Sequence, residues 1–203
     1  MFENTYKEIE KPKRIVFKEK GSKFISYIFN VKSESEIKNK IKIIKKKEHS
    51  ANHHCYAYIL HPDKSAQKES DDGEPSSTAG KPILNQIKSN DLTNTLIIVV
   101  RYFGGTKLGI PGLIKAYKKA AFQVISTCKI ITKNIKEQYK VSFNYSQINN
   151  VMKTIKLFNL EIINKSLKTE CSIIFTVKKD KADNVIKTYK ENYHLKIEYI
   201  KTI

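Results

Sequence analysis

The sequence has little glycine, proline or cysteine, and glycine and proline are confined to its first half. All 7 glycines and all 5 prolines lie in residues 1–112, and residues 113–203 contain neither. Because both residue types mark unusual backbone geometry, special loops are expected only in the first half. The 3 cysteines form no Cys-x-x-Cys pair, which argues against a disulfide framework and favours a reducing, cytoplasmic location.

Long apolar runs are also missing. No stretch approaches the roughly 20 apolar residues that span a bilayer. Residues 1–14 are polar and contain acidic side chains, so they lack the apolar region of a secretion signal. We therefore expect no membrane partner.

Arginine is scarce although the net charge is +18, because Arg14 and Arg101 are the only arginines among 38 basic residues. A protein this basic accumulates on polyanions such as nucleic acid. Specific phosphate and base contacts, however, usually use the planar fork of arginine. The lysines are also spread over the whole chain, so charge alone gives only weak support for nucleic-acid binding.

The second half shows regular hydrophobic patterns. Alternating apolar residues predict strands, and apolar residues spaced i, i+3, i+4, i+7 predict helices. The predicted strands lie near 137–145, 160–167, 169–178 and 194–201, with helices within 147–157 and 181–191. This βαββαβ order is typical of a ferredoxin-like domain with both helices on one face of the sheet.

The first half also mixes strands and helices, which makes the fold class α+β. Strands are predicted near 13–18, 24–31, 53–60 and 95–103, and helices over 34–47, after Thr78 and over 111–128. Ser33 followed by Glu36 has the pattern of a capping box. A domain boundary near 129–136 would separate a first domain, residues 1–132, from a second domain, residues 133–203.

Two loops in the first half contain most of the residues that could bind a ligand. The first contains Asp71, Asp72, Gly73, Glu74, Pro75, Thr78, Ala79, Gly80 and Lys81. The second, residues 101–112, contains four glycines and lies between a buried strand and a helix. That geometry directs free backbone N–H groups at an anion, but a tight connection alone would also require glycine. Neither loop matches a standard nucleotide-binding fingerprint.

The acidic and thiol groups allow further interpretations. The carboxylates of Asp71, Asp72 and Glu74 could bind Mg²⁺, or they could stabilise the N-terminus of the helix that follows Thr78. We favour the second interpretation. Cys55, with His53 nearby, could act as a nucleophile, although a cysteine in a strand is more often part of the core.

At these two loops, and in several stretches outside them, the sequence resembles the YigZ/IMPACT family, and the resemblance extends over essentially the whole chain. The matching stretches are Gly21–Ile25, His54–Tyr58, Asp71–Pro75, Thr78–Pro82, Val99–Gly105, Lys107–Gly109 and Gly112–Tyr117. Two departures occur, since Ser77 stands where the family often has glycine and Ile110-Pro111 replaces a more usual Thr-Gly.

The resemblance implies a first domain like the second domain of ribosomal protein S5. It implies a ferredoxin-like second domain similar to a domain of elongation factor G. Eukaryotic relatives look like regulators of translation. For members of the bacterial type the resemblance implies no settled reaction, so no catalytic residue, cofactor or metal is assigned.

These observations lead to a nucleic-acid- or ribosome-binding regulator of translation as our first hypothesis, with RNA or the ribosome as partner. The expected binding residues are Lys23, Arg101, Tyr102, Gly104, Gly105, Lys107, Gly109 and Gly112. The cations would contact phosphate, the glycines would permit close approach, and Tyr102 could stack on a base. The alternatives are a metal-assisted enzyme acting on a phosphorylated or anionic small molecule and a regulator that docks a translation factor.

Overall fold

The structure, a computed structural model, describes residues 4–168, 170–191 and 194–203. The chain divides into two compact units. One comprises Tyr6–Lys133, and the other comprises Asn134–Ile203 with the described residues of Met1–Thr5. Both contain helices and strands, so the predicted α+β class is confirmed. None of the helices in the described ranges is long and apolar enough to cross a membrane.

The first part of the chain alternates strands with three helices. Its elements are β1 (Thr5–Ile9), β2 (Lys13–Glu19), β3 (Ser22–Asn30), α1 (Glu34–Lys47), β4 (His53–Leu60), β5 (Ala66–Ser70), α2 (Gly80–Ser89), β6 (Thr95–Tyr102), α3 (Gly109–Ser126) and β7 (Ile130–Asn134). The predicted capping pair opens α1: the hydroxyl of the N-cap residue Ser33 accepts the Glu36 N–H at 3.3 Å. The Glu36 carboxylate accepts the N–H of Lys32, one residue before the N-cap, at 2.9 Å.

A five-stranded antiparallel sheet forms the centre of this unit, in the order β2-β3-β6-β4-β5. The central strand β6 has the sequence TLIIVVRY and is buried along nearly its whole length. Its β-branched residues suit a strand that is covered on both faces. Helices α2 and α3 pack on the face of Ile97 and Val99, and α1 packs on the face of Ile98 and Val100. β1 and β7 pair in a separate two-stranded sheet.

The second unit is ferredoxin-like, as its hydrophobic pattern predicts. Its elements are β8 (Lys136–Phe143), a short 3₁₀ turn (Tyr145–Gln147), α4 (Ile148–Leu157), β9 (Glu161–Leu167), β10 (Cys171–Lys178), α5 (Lys179–Lys190) and β11 (Leu195–Thr202). The sheet order is β11-β8-β10-β9, and every neighbouring pair is antiparallel. Thr169, the first residue of a predicted strand, lies outside the described residues.

The two helices of this unit pack on one face of the sheet. Val151 of α4 and Val185 of α5 share a buried cluster with Val141 and Phe175 of the strands. The alternate residues of the strands face away from that cluster, as the two-residue period requires. The prediction of two helices on one sheet face is therefore confirmed.

Candidate functional site

The first motif loop, residues 71–79, connects β5 to α2 and is organised by Asp71. The Asp71 carboxylate accepts the backbone N–H groups of Ser77 at 2.9 Å, Ala79 at 2.9 Å and Gly80 at 2.8 Å. Three otherwise unpaired donors at the start of α2 are thereby satisfied by an anion at the positive end of the helix. This is the helix-stabilising role that we favoured for the acidic cluster.

Asp72 connects the same loop to α1 and β4. Its carboxylate accepts the His54 backbone N–H and the Lys45 ammonium group, each at 2.8 Å, and its carbonyl accepts His53 Nδ1–H at 2.9 Å. Burial acts to raise the pKa of Asp72, but the hydrogen bonds from Lys45 and His54 outweigh it and hold the pKa below its usual value. Gly73 follows with a φ of +88° and lies against the His53 ring.

Glu74 lies where the two motif loops meet. Its Oε1 accepts Arg101 Nη1–H at 2.7 Å and the Tyr117 hydroxyl at 2.8 Å, and His53 Nε2 lies 3.9 Å away. The side chains of Arg101 and Glu74 are only 6% and 3% exposed. The Arg101 Nη2 group also lies 3.4 Å from the Ser22 hydroxyl. Arg101 is therefore a buried, ion-paired residue beneath the second loop.

Cys55 lies beside this buried network. Its Sγ is 3.0 Å from the Asp71 carbonyl oxygen and 3.3 Å from the Tyr117 hydroxyl. Burial strongly raises the pKa of the Cys55 thiol, and the carboxylates of Glu74 and Asp72 add to the effect. A thiol in such surroundings resists ionisation, whereas nucleophilic cysteines have a lowered pKa. The contacts of Cys55 are those of a core residue.

The carboxylates of the first loop do not point toward one centre. Asp71 binds backbone N–H groups, Asp72 binds Lys45 and His54, and Glu74 binds Arg101 and Tyr117. Within residues 4–168, 170–191 and 194–203, no three His, Cys, Asp or Glu side chains are grouped so that they could hold a metal ion. The remaining motif residues continue the loop: Thr78 Oγ1 donates to the Pro75 carbonyl at 2.6 Å, and Lys81 is exposed.

The second loop, residues 103–108, is fixed at its start by close backbone packing. The Phe103 N–H donates to Asn52 Oδ1 at 3.1 Å, and the Gly104 N–H donates to the Ser22 hydroxyl at 3.3 Å. A Cβ atom on Gly104 would lie 1.9 Å from the Gly21 carbonyl carbon, far inside van der Waals contact. Glycine is therefore required here because two backbone segments touch.

The rest of this loop is open to solvent. Gly105 has a φ of +86°, and a Cβ atom added to it would have no other atom within 4 Å. Lys107 is exposed. In the part of the chain that the structure describes, the backbone N–H groups of Gly105, Thr106 and Lys107 have no hydrogen-bond partner. Helix α3 begins directly afterwards at Gly109, without a side-chain cap and without an acidic residue in its first turn.

The remaining predicted binding residues differ in exposure. Lys23 and Tyr102 are half-buried neighbours on β3 and β6, with Lys23 Nζ 4.2 Å from the centre of the Tyr102 ring. The Tyr102 hydroxyl donates to Glu48 at 2.7 Å. Gly109 is exposed, whereas Gly112 is half-buried against Leu108. The structure thus brings Arg101 and Gly104 together at Ser22, whereas the side chains of Lys23 and Tyr102 pair with each other on the opposite face of the sheet. Lys107 lies in the open part of the loop.

Comparison with known proteins assigns the chain to a family. Residues 20–125 match the Impact N-terminal domain. The chain is 32% identical over 155 residues to the IMPACT family member YigZ of Escherichia coli, covering 75% of this chain and 76% of that protein. It is 37% identical over 130 residues to the IMPACT family member YvyE of Bacillus subtilis, covering 64% of this chain and 60% of that protein. The chain belongs to the IMPACT family, as the motifs predict.

A solved structure described as that of a hypothetical protein has the same architecture. It superposes with a TM-score of 0.78 and 26% sequence identity, covering 98% of this chain and 99% of the other. The fold described above is therefore found along essentially the full length of a second protein.

Proposed function

We propose that this chain is a cytoplasmic regulator of translation that binds RNA or the ribosome through the open loop, residues 103–108, and the start of α3. The single observation that carries the proposal is the set of unpartnered N–H groups at Gly105, Thr106 and Lys107 beside an exposed lysine. Backbone N–H groups that point into solvent at a helix N-terminus bind phosphate oxygens.

The electrostatics of the loop favour an anion. No acidic residue lies between Asp91 and Glu137, and the first turn of α3 contains none. The Lys107 ammonium group and the positive end of an 18-residue helix would therefore act on the same ligand. The net charge of +18 would add a general attraction to a polyanion.

Within this proposal we assign different roles to the residues in and beside the loop. Arg101 supports the loop from beneath, because its guanidinium group is buried against Glu74. Phe103, whose side chain is 47% exposed, offers a ring on which a base could stack, next to the half-buried Tyr102. Lys107 is the phosphate contact. The link with translation rests on the family resemblance, since eukaryotic relatives look like translation regulators.

The proposal is tested by titrating the full chain against a labelled oligouridylate and a labelled RNA hairpin over a series of salt concentrations. We expect affinity to fall linearly on a logarithmic salt axis, with a slope of about 0.7 for each phosphate contacted on a single strand. Lys107→Glu should weaken binding to both RNAs several-fold and reduce the slope by about one contact.

Lys190→Glu is the matched control, because it makes the same charge change on exposed α5. Equal losses from Lys107→Glu and Lys190→Glu would mean that total charge drives association and that the loop is not the site. Absence of measurable binding at about 0.15 M salt would contradict the proposal as a whole.

A further inference from the structure

The outer face of α3 presents apolar side chains to solvent along one ridge. Ile110, Ile114 and Phe122 are 58%, 40% and 54% exposed. Together with Lys118 they are spaced four residues apart, and residues at that spacing form a continuous ridge on a helix. The aliphatic stem of Lys118 can extend the apolar surface between Ile114 and Phe122 while its ammonium group stays in water.

The opposite face of α3 is fully used by the core. Leu113, Tyr117, Ala120 and Val124 are buried against the five-stranded sheet and α2. The ridge is therefore not needed to hold α3 on the sheet. Isolated exposed apolar residues are ordinary, but a row of them on one helix is typical of a surface that binds a partner.

The charges beside the ridge have one sign. Helix α3 contains Lys115, Lys118 and Lys119 and no acidic residue. Lys119 Nζ lies 3.7 Å from Glu19, whereas Lys115 and Lys118 have no acidic partner in the part of the chain that the structure describes. A partner that covers the ridge would therefore bring these two ammonium groups next to its own side chains.

We propose that this ridge, formed by Ile110, Ile114, Lys118 and Phe122, docks an acidic amphipathic helix of a partner protein. The apolar face of that helix would pack between the ridge residues, and its carboxylates would pair with Lys115 and Lys118. Ridge-into-groove packing of two such rows sets a crossing angle of about −50°.

Two other occupants fit the surface less well. RNA would be attracted by the lysines, but only Phe122 offers a planar face for a base, and the branched side chains of Ile110 and Ile114 can neither stack on a base nor donate to a phosphate. A second copy of this chain would bring two molecules of net charge +18 together. An acidic protein segment satisfies both the apolar and the basic character of the face.

The test is a selection of displayed random peptides, each long enough for four helical turns, on the immobilised full chain. We expect the enriched peptides to be net negative and to have apolar residues at i, i+4 and i+7. One enriched peptide is then synthesised and titrated against the chain and its variants. Ile114→Ser, Phe122→Ser and the double charge reversal Lys115→Glu/Lys118→Glu should each weaken binding by about tenfold or more.

The controls make the same changes elsewhere on the surface. Ile43→Ser alters an isoleucine that is 50% exposed on α1, and Lys153→Glu/Lys156→Glu reverses two exposed lysines on α4. Both should leave peptide affinity within about twofold of the parent chain.

No enrichment, or enriched peptides without negative charge, would overturn the proposal. So would a peptide whose affinity is unchanged by both Ile114→Ser and Phe122→Ser. If those variants instead weaken oligouridylate binding while no peptide is enriched, the ridge is an RNA surface and the protein-docking proposal is wrong.

Discussion

Arg101 of β6 donates a hydrogen bond to Glu74 across 2.7 Å, and both side chains are almost completely buried. The same carboxylate oxygen accepts the Tyr117 hydroxyl at 2.8 Å. One carboxylate therefore joins the central strand, the loop before α2 and the middle of α3. Burial removes both side chains of this ion pair from water, so the fold keeps its stability only while each charge keeps its partner.

The first prediction follows from that pair. Glu74→Gln leaves the Arg101 guanidinium group buried without a counter-charge, and breaking a buried ion pair from one side costs about 3–5 kcal/mol of folding free energy. We expect a loss near the lower end, about 3 kcal/mol, because the glutamine amide still offers an oxygen to Arg101. The loss is measured by urea unfolding together with hydrogen exchange of the β6 amides.

Glu19→Gln is the control for this measurement. It removes the exposed partner of Lys119 and should change stability by no more than about 0.5 kcal/mol. If Glu74→Gln proves as mild as Glu19→Gln, the buried pair does not hold the two loops together.

The regular elements of both units could be predicted because their hydrophobic residues follow one period. The i, i+3, i+4, i+7 spacing identified α4 and α5, and alternation identified the buried strands. The strands β1, β5 and β7 were missed. β5 shows why: its sequence AQKES is polar and mostly exposed at a sheet edge, so it has no apolar period.

The site was predictable in position but not in detail. The glycine and acidic motifs identified both loops, and the structure connects the first loop to the strand before the second through Glu74 and Arg101. Burial of Arg101 could not be read from the sequence, since its partner is 27 residues away in another loop. The roles of His53 and Tyr117 depend equally on distant contacts, and nothing in their local sequence indicates them.

The second prediction separates two reasons for glycine in the open loop. Gly104→Ala places a Cβ atom 1.9 Å from the Gly21 carbonyl carbon, so one of two backbone segments must move. We expect a loss of about 2–3 kcal/mol, as for an overpacked core. Gly105→Ala meets no atom within 4 Å and carries only the strain of a φ of +86°, about 1 kcal/mol. Thermal unfolding of both variants measures the difference; equal losses would exclude close packing as the reason for Gly104.

The third prediction concerns acid stability. The pKa of Asp72 is held below its usual value because hydrogen bonds from Lys45 and the His54 backbone outweigh the effect of burial. The ionised Asp72 carboxylate therefore contributes fully to the free energy of unfolding above about pH 4, the ordinary pKa of aspartate. This contribution is lost as the pH falls through the lower pKa of the folded state.

Asp72→Asn should accordingly be less stable than the parent chain at neutral pH. The difference should shrink as the pH falls below about 4, where the parent carboxylate is protonated as well. Urea midpoints measured from neutral to acidic pH give the two curves. Lys45→Gln removes one hydrogen bond that lowers the pKa and should shift the loss toward higher pH. Parallel curves for the parent chain and Asp72→Asn would contradict this account.

The last prediction concerns Cys55, whose thiol the sequence analysis considered as a possible nucleophile. Cys55 is completely buried, and burial raises its pKa, so thiolate forms only when the surrounding structure opens. We expect iodoacetamide at mildly alkaline pH to modify half-buried Cys128 first and Cys55 only as fast as the unit unfolds. Peptide mass spectrometry follows each site, with urea-unfolded chain as the reference for full reactivity. In Glu74→Gln, which weakens the network around Tyr117, Cys55 should react faster while Cys128 keeps its rate. Rapid alkylation of Cys55 in the folded parent chain would show an accessible thiolate and would support Cys55 as a nucleophile.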